Sequence, residues 1–210
     1  MRPFRGSALR RIGAVLAVAL QSLVLLLAFS LVAGAQAPPD KPLLNALRAG
    51  GYVLYFRHTA TDFGQNDEKM TGFEDCANQR NLTDAGRADA RAIGAAIRSL
   101  GIPIGEVLAS PFCRTRETAE LIFGRYTVAP AVRGGPASAE AGRYSELKIL
   151  LTRRTPVNVN IAIASHGNPF VAVVGGPYLA EGEAAVIEPL GSAGFRVVAR
   201  IRKDEWAGFK

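Results

Sequence analysis

Histidine and cysteine are scarce in this chain, which has two residues of each. Neither Cys76 nor Cys113 lies near a His-x-x-His pair, so the sequence lacks the usual pattern of zinc ligands. Their spacing allows a disulfide bond, if the chain is exported to an oxidising compartment, or two buried thiols. His58 and His166 each come at the end of an apolar run that is typical of a buried strand. The functional interpretation therefore starts from these two side chains.

The sequence also lacks a cluster of Lys and Arg with interleaved aromatic residues, so a nucleic-acid partner is not expected. The formal net charge of +7 overstates the basic character of most of the chain. Four arginines and no acidic residue lie in the first 35 positions, and the remaining 21 basic residues face 18 acidic ones. A length of 210 residues predicts one domain, and the 49% hydrophobic content is sufficient for a full core.

Residues 1–37 are predicted to be a signal peptide or an N-terminal membrane anchor, followed by one folded domain over residues 38–210. A basic start precedes an apolar stretch over residues 12–32 and a small-x-small cleavage site at Ala33-Gly34-Ala35. The apolar stretch is also long enough to span a membrane, which needs about 20 residues, so retention as an anchor stays open. We expect a periplasmic or secreted protein, or one anchored in the inner membrane, with membrane contact only through this segment.

Beyond this segment, the apolar pattern alternates between strand and helix periods. Strands are predicted over residues 52–56, 106–109, 126–129, 159–164, 184–190 and 195–202, and helices over 41–50, 82–100, 144–153 and 169–174. A further helix is predicted to start with Ser110 as its cap and with Arg114 in its first turn. Residues 59–81 have no period and predict a long loop beside His58. This alternation predicts a three-layer α/β/α sandwich with a mostly parallel central sheet.

Four cationic or titratable side chains are expected to meet at one edge of this sheet. Arg57, His58 and His166 follow strands at the carboxyl end, where α/β proteins bind ligands. Arg114 is disfavoured in the first turn of a helix unless an anion shares the site, because helix N-termini bind anions. Two guanidinium groups and two imidazoles would bind a tetrahedral, multiply charged anion. A neutral histidine can also act as a nucleophile and carry a phosphoryl group.

Four ordered motifs lie within about residues 50–190: Arg57-His58, Leu82-Thr83-x-x-Gly86-Arg87-x-x-Ala90, Ser110-Pro111-x-x-Arg114-Thr115-x-x-Thr118-Ala119 and Ser165-His166-Gly167. Together they resemble the motifs of the histidine phosphatase superfamily, which has the phosphoglycerate-mutase-like fold. The resemblance implies a phosphoric monoester hydrolase that forms phosphohistidine on His58, within a histidine phosphatase domain over residues 38–210. It also implies that Arg57, Arg114 and His166 bind the phosphoryl group and that no metal ion or cofactor is needed.

The N-terminal segment and the compact length resemble small bacterial phosphatases that act outside the cytoplasm. These include enzymes that act on phosphates of the lipopolysaccharide core. The partner implied by this resemblance is therefore a small phosphorylated substrate, such as a sugar phosphate or a lipopolysaccharide core phosphate.

The sequence departs from the superfamily pattern beside the first histidine. Thr59 stands where the family usually has glycine, and its side chain is expected to contact or restrict the substrate. The asparagine that often follows a few residues later is out of register, and Gln65 or Asn66 is expected to take its place.

The family's general acid is a carboxylate on a variable segment, and no single residue of this chain matches it. Glu140 follows Arg114 at a suitable distance, and Glu183 and Asp62 are further candidates. Without an acid, only substrates with good leaving groups would be cleaved well.

Two other functions stay open at the level of the sequence. Ser165 lies in a stretch that resembles a degraded nucleophile elbow of a serine hydrolase, although the first glycine of that motif is missing. Threonine at position 59, together with the lack of an identified general acid, is also compatible with a non-catalytic protein that binds a phosphorylated ligand. Replacing His58 tests the phosphatase, replacing Ser165 tests the hydrolase, and a binding protein has no turnover to lose.

Overall fold

The structure, a computed structural model, describes residues 41–135 and 142–209. Within these ranges the helices are α1 (Lys41–Ala49), α2 (Asp84–Ser99), α3 (Cys113–Phe123), α4 (Ser145–Thr152) and α5 (Gly167–Val174). The strands are β1 (Val53–Arg57), β2 (Ile104–Ala109), β3 (Thr127–Val128), β4 (Asn160–Ser165), β5 (Ala184–Pro189) and β6 (Phe195–Ile201). Each of these elements was predicted from the apolar pattern, and their ends differ from the predicted ends by about two residues or fewer.

The N-terminal segment predicted over residues 1–37 and the candidate acid Glu140 lie outside the described residues. In the part of the chain that the structure does describe, no helix combines the length and apolar character needed to cross a membrane.

The strands form one sheet in the order β3-β2-β4-β1-β5-β6. Strands β3, β2, β4 and β1 pair in parallel, whereas β5 pairs antiparallel with both β1 and β6. The mostly parallel sheet expected from the sequence is therefore confirmed. The register places Arg57 opposite Ser165, so β1 and β4 end side by side. The residues that follow these two strands, His58 and His166, consequently leave the sheet at the same edge.

Alternate side chains of β1 enter two separate apolar cores, because successive residues of a strand point to opposite faces. Leu54 and Phe56 pack with α1, α2 and Trp206 on one face, whereas Val53 and Tyr55 pack with α4, α5 and neighbouring strands on the other. A central strand covered on both faces must be continuously apolar, which explains the run that precedes Arg57. The two cores produce the three layers of the sandwich.

The motif that begins at Leu82 anchors the chain just after His58. The Thr83 side chain caps α2 by accepting a hydrogen bond from the backbone N–H of Gly86. A Cβ atom at Gly86 would lie 2.1 Å from the carbonyl oxygen of Ala60, so only glycine permits this approach. The glycine of the motif therefore holds the start of α2 against the segment that follows the first histidine.

The long loop over residues 59–81 is tied to α3 by a disulfide bond. Within this loop, which the structure describes in full, regular structure is limited to a 3₁₀ turn at Cys76–Asn78 and a bridge between Thr61 and Leu82. Cys76 is bonded to Cys113, the first residue of α3. The disulfide, which the sequence left as one of two alternatives, therefore connects the loop to the helix that carries Arg114.

Candidate active site

The carboxyl ends of β1 and β4 bring the two histidines together. The ring centroids of His58 and His166 lie 5.5 Å apart, and the backbone N–H of His58 donates to the carbonyl oxygen of Ser165 at 3.0 Å. Arg57 ends β1, and Arg114 lies in the first turn of α3. All four predicted side chains line one cavity of about 260 Å³. The structure thus brings together the residues expected to surround an anion, while their individual roles stay predictions.

The remaining walls of this cavity combine one further arginine, one carboxylate, two aromatic rings and several small or polar residues. These are Arg80, Asp67, Phe112, Tyr178, Gly134, Gly135, Gly167 and Asn168. Three guanidinium groups against one carboxylate leave the cavity with a positive excess. A phosphoryl group with a small leaving group fits both this charge and this volume.

The hydrogen bond of His58 determines which ring nitrogen holds the proton. Its Nδ1 lies 2.9 Å from the carbonyl oxygen of Thr59. Because a carbonyl only accepts, Nδ1 must carry the hydrogen, and Nε2 keeps its lone pair. Burial, opposed by the bond to Thr59 and reinforced by Arg114, lowers the pKa of His58 to about 3. His58 is therefore neutral near neutral pH, in the form that can attack phosphorus.

His166 is also neutral near neutral pH. Burial, followed by the charge of Arg114, lowers the pKa of His166 well below its ordinary value. Its Nε2 lies 2.8 Å from Oγ of Ser110. Ser110 was expected to cap α3, and this prediction is wrong, because Phe112 holds the N-cap position. The backbone N–H of Ser110 donates to the carbonyl oxygen of Ala164, which keeps Ser110 at the sheet edge and its hydroxyl beside His166.

Arg114 is buried, with a side chain only 5% exposed. Its Nη1 donates to Oδ1 of Asp67 at 3.0 Å and to the carbonyl oxygen of Arg80 at 3.3 Å, and its guanidinium lies 4.4 Å from the centre of the Phe112 ring. The Nε atoms of Arg114 and Arg80 are both buried without a hydrogen-bond partner among the described residues. Buried donors without partners are costly, and an oxyanion in the cavity would supply an acceptor.

Asp67 is a cavity residue that the sequence did not single out. Its Oδ1 accepts hydrogen bonds from the backbone N–H of Arg80 at 2.9 Å and from Nη1 of Arg114 at 3.0 Å. The only signal in the sequence was its position in the long loop after His58, which was expected to form the rim of the pocket. Neither spacing nor motif separates Asp67 from the other acidic residues of that loop.

Glu181 is a second carboxylate that the sequence did not reveal, and it lies behind His58. Its Oε1 accepts a hydrogen bond from Oγ1 of Thr61 at 2.7 Å. The same oxygen lies 3.6 Å from Nη2 of Arg57 and 3.8 Å from Nδ1 of His58. Glu181 belongs to an irregular segment before β5, where no periodicity or motif indicates a role. It faces the protonated nitrogen of His58, so it can stabilise positive charge on the ring.

Two residues predicted to contact substrate lie away from the cavity. Thr59 is completely buried, and its backbone N–H donates to Oγ1 of Thr118 at 3.3 Å, because the chain turns toward α3 directly after His58. Asn66 is exposed, and its Oδ1 accepts a hydrogen bond from the backbone N–H of Glu68 at 3.1 Å within a local turn. Gln65 likewise bonds elsewhere, to the backbone N–H of Asn81. Neither Thr59 nor Asn66 lines the cavity, and contact with a substrate stays a prediction for both.

The alternative acids Asp62 and Glu183 are not cavity residues either. Asp62 is exposed and accepts a hydrogen bond from the backbone N–H of Gly64. Glu183 is buried against Arg200, with 2.7 Å between Oε1 and Nε of the arginine. The partners of both carboxylates hold them outside the cavity.

The serine hydrolase alternative is contradicted by the bonds of Ser165. Its hydroxyl is fully buried, donates to the carbonyl oxygen of Val132 at 2.6 Å and accepts from the hydroxyl of Tyr55 at 2.8 Å. Nδ1 of His58 bonds to Thr59 and Nε2 of His166 bonds to Ser110, and the Ser165 hydroxyl bonds to Val132 and Tyr55 instead of to a histidine ring.

Comparison with known proteins agrees with this architecture. Residues 53–149 match the family model of the histidine phosphatase superfamily (branch 1). No curated protein sequence matches the chain significantly.

Two solved structures share the fold. The protein histidine phosphatase SixA complexed with tungstate is 18% identical, with a TM-score of 0.52 over 73% of this chain and 97% of that chain. A phosphoserine phosphatase mutant from Entamoeba histolytica, in complex with phosphoserine, is 11% identical, with a TM-score of 0.52 over 73% of this chain and 98% of that chain. At such identities the likeness concerns the fold. The chain is therefore similar to the histidine phosphatase superfamily over residues 53–149 and shares its fold with these two structures.

Proposed function

We propose that this protein is a phosphatase that hydrolyses a small phosphomonoester through a phosphohistidine intermediate on His58. One observation carries the proposal: a neutral histidine, with its proton on Nδ1 and its lone pair on Nε2, lines a cavity with three guanidinium groups. Neutral imidazole supplies the nucleophile, and the arginines supply the charge that a phosphoryl group requires. The family match over residues 53–149 supports the same chemistry.

In the first step, Nε2 of His58 forms a bond to phosphorus while the bond from phosphorus to the leaving oxygen breaks. Arg57 and Arg114 bind the oxygens of the transferred group and offset the charge that spreads over them. Fixed donors of this kind do not have to reorganise during the reaction, and the loss of one typically costs about 100- to 1,000-fold in rate. His166 lies beside His58 at the wall of the same cavity, and we propose that its ring contacts the transferred group.

Once phosphorylated on Nε2, the ring of His58 carries a positive charge, because Nδ1 keeps its proton for the bond to Thr59. Oε1 of Glu181, 3.8 Å from Nδ1, offsets that charge. In the second step, water attacks phosphorus, the bond to Nε2 breaks, and inorganic phosphate leaves with neutral His58 restored.

The proposed reaction does not require a metal ion, since Arg57, Arg80 and Arg114 provide the positive charge on the cavity wall. Among residues 41–135 and 142–209, no group of three or more histidine, cysteine or carboxylate side chains could hold a metal ion. The direct test is hydrolysis in the presence of EDTA, where we expect full activity; loss of activity that added divalent cations restore would contradict this part of the proposal.

We further propose that the substrate is a sugar phosphate or a similar small phosphate, such as one of the lipopolysaccharide core, encountered outside the cytoplasm. The N-terminal pattern of basic, apolar and small residues supports export, and a disulfide bond suits an oxidising compartment. The partly exposed ring of Tyr178, at the cavity wall, offers a flat apolar surface for a leaving group.

The test is a screen of the purified protein against sugar phosphates, nucleotides, acyl phosphates and phosphohistidine. We expect turnover of at least one small phosphomonoester by the wild type and none by His58→Ala. Binding of phosphorylated ligands without any turnover would instead identify a binding protein, and turnover that survives in His58→Ala would reject the proposed nucleophile.

A further inference from the structure

The proposed first step requires a proton that neither histidine supplies. An alcohol leaves phosphorus as a strongly basic alkoxide unless a proton reaches its oxygen as the bond breaks. The single proton of His58 is on Nδ1 and is held by Thr59, while Nε2 is used for attack. His166 is neutral, and its Nε2 is occupied by Ser110. The proton must therefore come from another group that reaches the cavity.

Among the described residues that line the cavity, Asp67 is the one with a carboxyl group. Its side chain is 31% exposed, so it reaches both the cavity and solvent, from which it can be reprotonated. Both of its hydrogen bonds, from Arg80 and Arg114, are accepted by Oδ1. Oδ2 is therefore left to hold a proton.

The other carboxylate near His58 is poorly placed for this task. Glu181 lies on the Nδ1 side of the ring, where it bonds to Thr61 and contacts Arg57. The leaving oxygen lies opposite the attacking Nε2 in an in-line displacement, so it departs on the side away from the histidine. A carboxylate behind His58 cannot reach it.

Substrate binding brings the transferred group close to Asp67. A phosphoryl group bound to Arg114 must share this guanidinium with Asp67, whose Oδ1 lies 3.0 Å from Nη1. The Asp67 carboxyl group therefore lies beside the bound phosphoryl group.

From this geometry we propose that Asp67 is the general acid of the reaction, an inference that rests on the phosphatase function proposed above. As the bond between phosphorus and the leaving oxygen breaks and the bond to Nε2 of His58 forms, Oδ2 of Asp67 donates its proton to that oxygen and the alcohol departs. The carboxylate that remains then accepts a proton from the water that attacks phosphohistidine. Phosphate is released, and Asp67 and His58 return to their starting forms.

The experiment compares Asp67→Asn with the wild type on two substrates, glycerol 2-phosphate and 4-nitrophenyl phosphate. Asparagine keeps an oxygen that can accept the bonds from Arg80 and Arg114, but it has no proton to donate. General acids contribute roughly 100- to 10,000-fold, so we expect kcat on glycerol 2-phosphate to fall by at least about 100-fold. The 4-nitrophenolate group leaves without a proton, so kcat on 4-nitrophenyl phosphate should change by less than about 3-fold.

A matched control distinguishes the loss of a proton donor from a nonspecific effect of changing the loop. Asp62→Asn makes the same chemical change in the same loop, at an exposed residue outside the cavity, and should leave both rates unchanged. Inhibition by inorganic phosphate shows whether the site of Asp67→Asn is still folded. We expect phosphate to bind this variant at least as tightly as the wild type, because the variant has lost one negative charge beside Arg114.

Three results would overturn the proposal. The first is an equal loss on both substrates, which would make Asp67 a residue that only shapes the site. The second is an unchanged kcat of Asp67→Asn on both substrates. The third is that Glu140→Gln, instead of Asp67→Asn, loses activity on glycerol 2-phosphate alone. If the wild type hydrolyses neither substrate nor any other phosphomonoester, the phosphatase function itself fails, which is distinguishable from all three.

Discussion

Nδ1 of His58 and Oε1 of Glu181 lie 3.8 Å apart, on the side of the imidazole that faces away from the proposed point of attack. The carbonyl oxygen of Thr59 accepts the hydrogen bond from Nδ1. Glu181 therefore acts through charge, and its proposed task is to stabilise the ring once Nε2 bears a phosphoryl group. Thr61 and Arg57 hold the carboxylate in this position.

Glu181→Gln tests this relationship, because it removes the charge and preserves the shape. We expect kcat to fall by about 10-fold or more, which corresponds to about 1.4 kcal/mol of lost transition-state stabilisation, with a smaller change in KM. Steady-state kinetics on an aryl phosphate provide the measurement. Glu188→Gln, at an exposed ion pair with Arg196, is the control and should have no effect. An unchanged kcat in Glu181→Gln would show that the carboxylate is only structural.

Arg114→Lys tests whether the buried guanidinium binds the transferred group. Lysine keeps the charge but loses the planar fork that matches two phosphate oxygens. We expect kcat/KM to fall by about 100- to 1,000-fold. Arg116→Lys is the control in the same helix, because its guanidinium pairs with the exposed Glu74. Similar losses in both variants would mean that α3 is sensitive to any change and that Arg114 has no special role.

The two buried histidines predict how stability depends on pH. The pKa of His58 is lowered to about 3 by burial, and that of His166 is also lowered. In the unfolded chain both histidines have a pKa of about 6.5. At pH values between the pKa of the folded state and that of the unfolded state, the unfolded state therefore binds more protons. The free energy of unfolding should therefore fall as pH drops below about 6.5, by up to about 1.4 kcal/mol per pH unit for each histidine.

Urea unfolding between about pH 5 and pH 7.5 measures this dependence before most carboxylates titrate. The chain has two histidines in all, so replacing both with asparagine removes every histidine contribution. The variant should show a clearly shallower slope than the wild type. Equal slopes would indicate that the imidazoles are not held neutral by burial.

Cys76→Ser with Cys113→Ser tests the link between the long loop and α3. The bond closes a loop with a sequence separation of 37 residues, and its removal should lower the free energy of unfolding by about 2–4 kcal/mol. We also expect kcat/KM to fall, because the loop carries Asp67 and Arg80 while α3 carries Arg114. Denaturation and kinetics of the double variant provide the measurement, with the reduced wild type as the comparison. Unchanged values in both would show that the loop is held without the disulfide.

The sequence predicted those parts of the fold and site that depend on periodicity or motif. Buried parallel strands must be continuously apolar, so β1 and β4 were recognisable, and with them the positions of His58 and His166. Arg114 could be found because a cation at the start of a helix requires an anion or another compensating partner.

The residues that the sequence did not reveal reach the site through tertiary contacts, which leave no periodic pattern in the sequence. Asp67 and Glu181 reach the site from irregular segments, where the turn of the chain decides which carboxylate faces the cavity. Thr59 was predicted to lie at the pocket because it follows His58 in the sequence, yet the chain turns there and buries Thr59 against Thr118. Ser110 looked like a cap because serine is common there, whereas its bond to His166 spans 56 residues.

The most direct test of the central claim is to trap the intermediate. The protein is mixed with a ³²P-labelled phosphomonoester, quenched within milliseconds, and digested for peptide mapping. We predict an alkali-stable, acid-labile phosphoryl group on the peptide that contains His58, and no label on His58→Asn. Turnover by the wild type with no such label, or with an acid-stable label on another residue, would contradict phosphohistidine catalysis at His58.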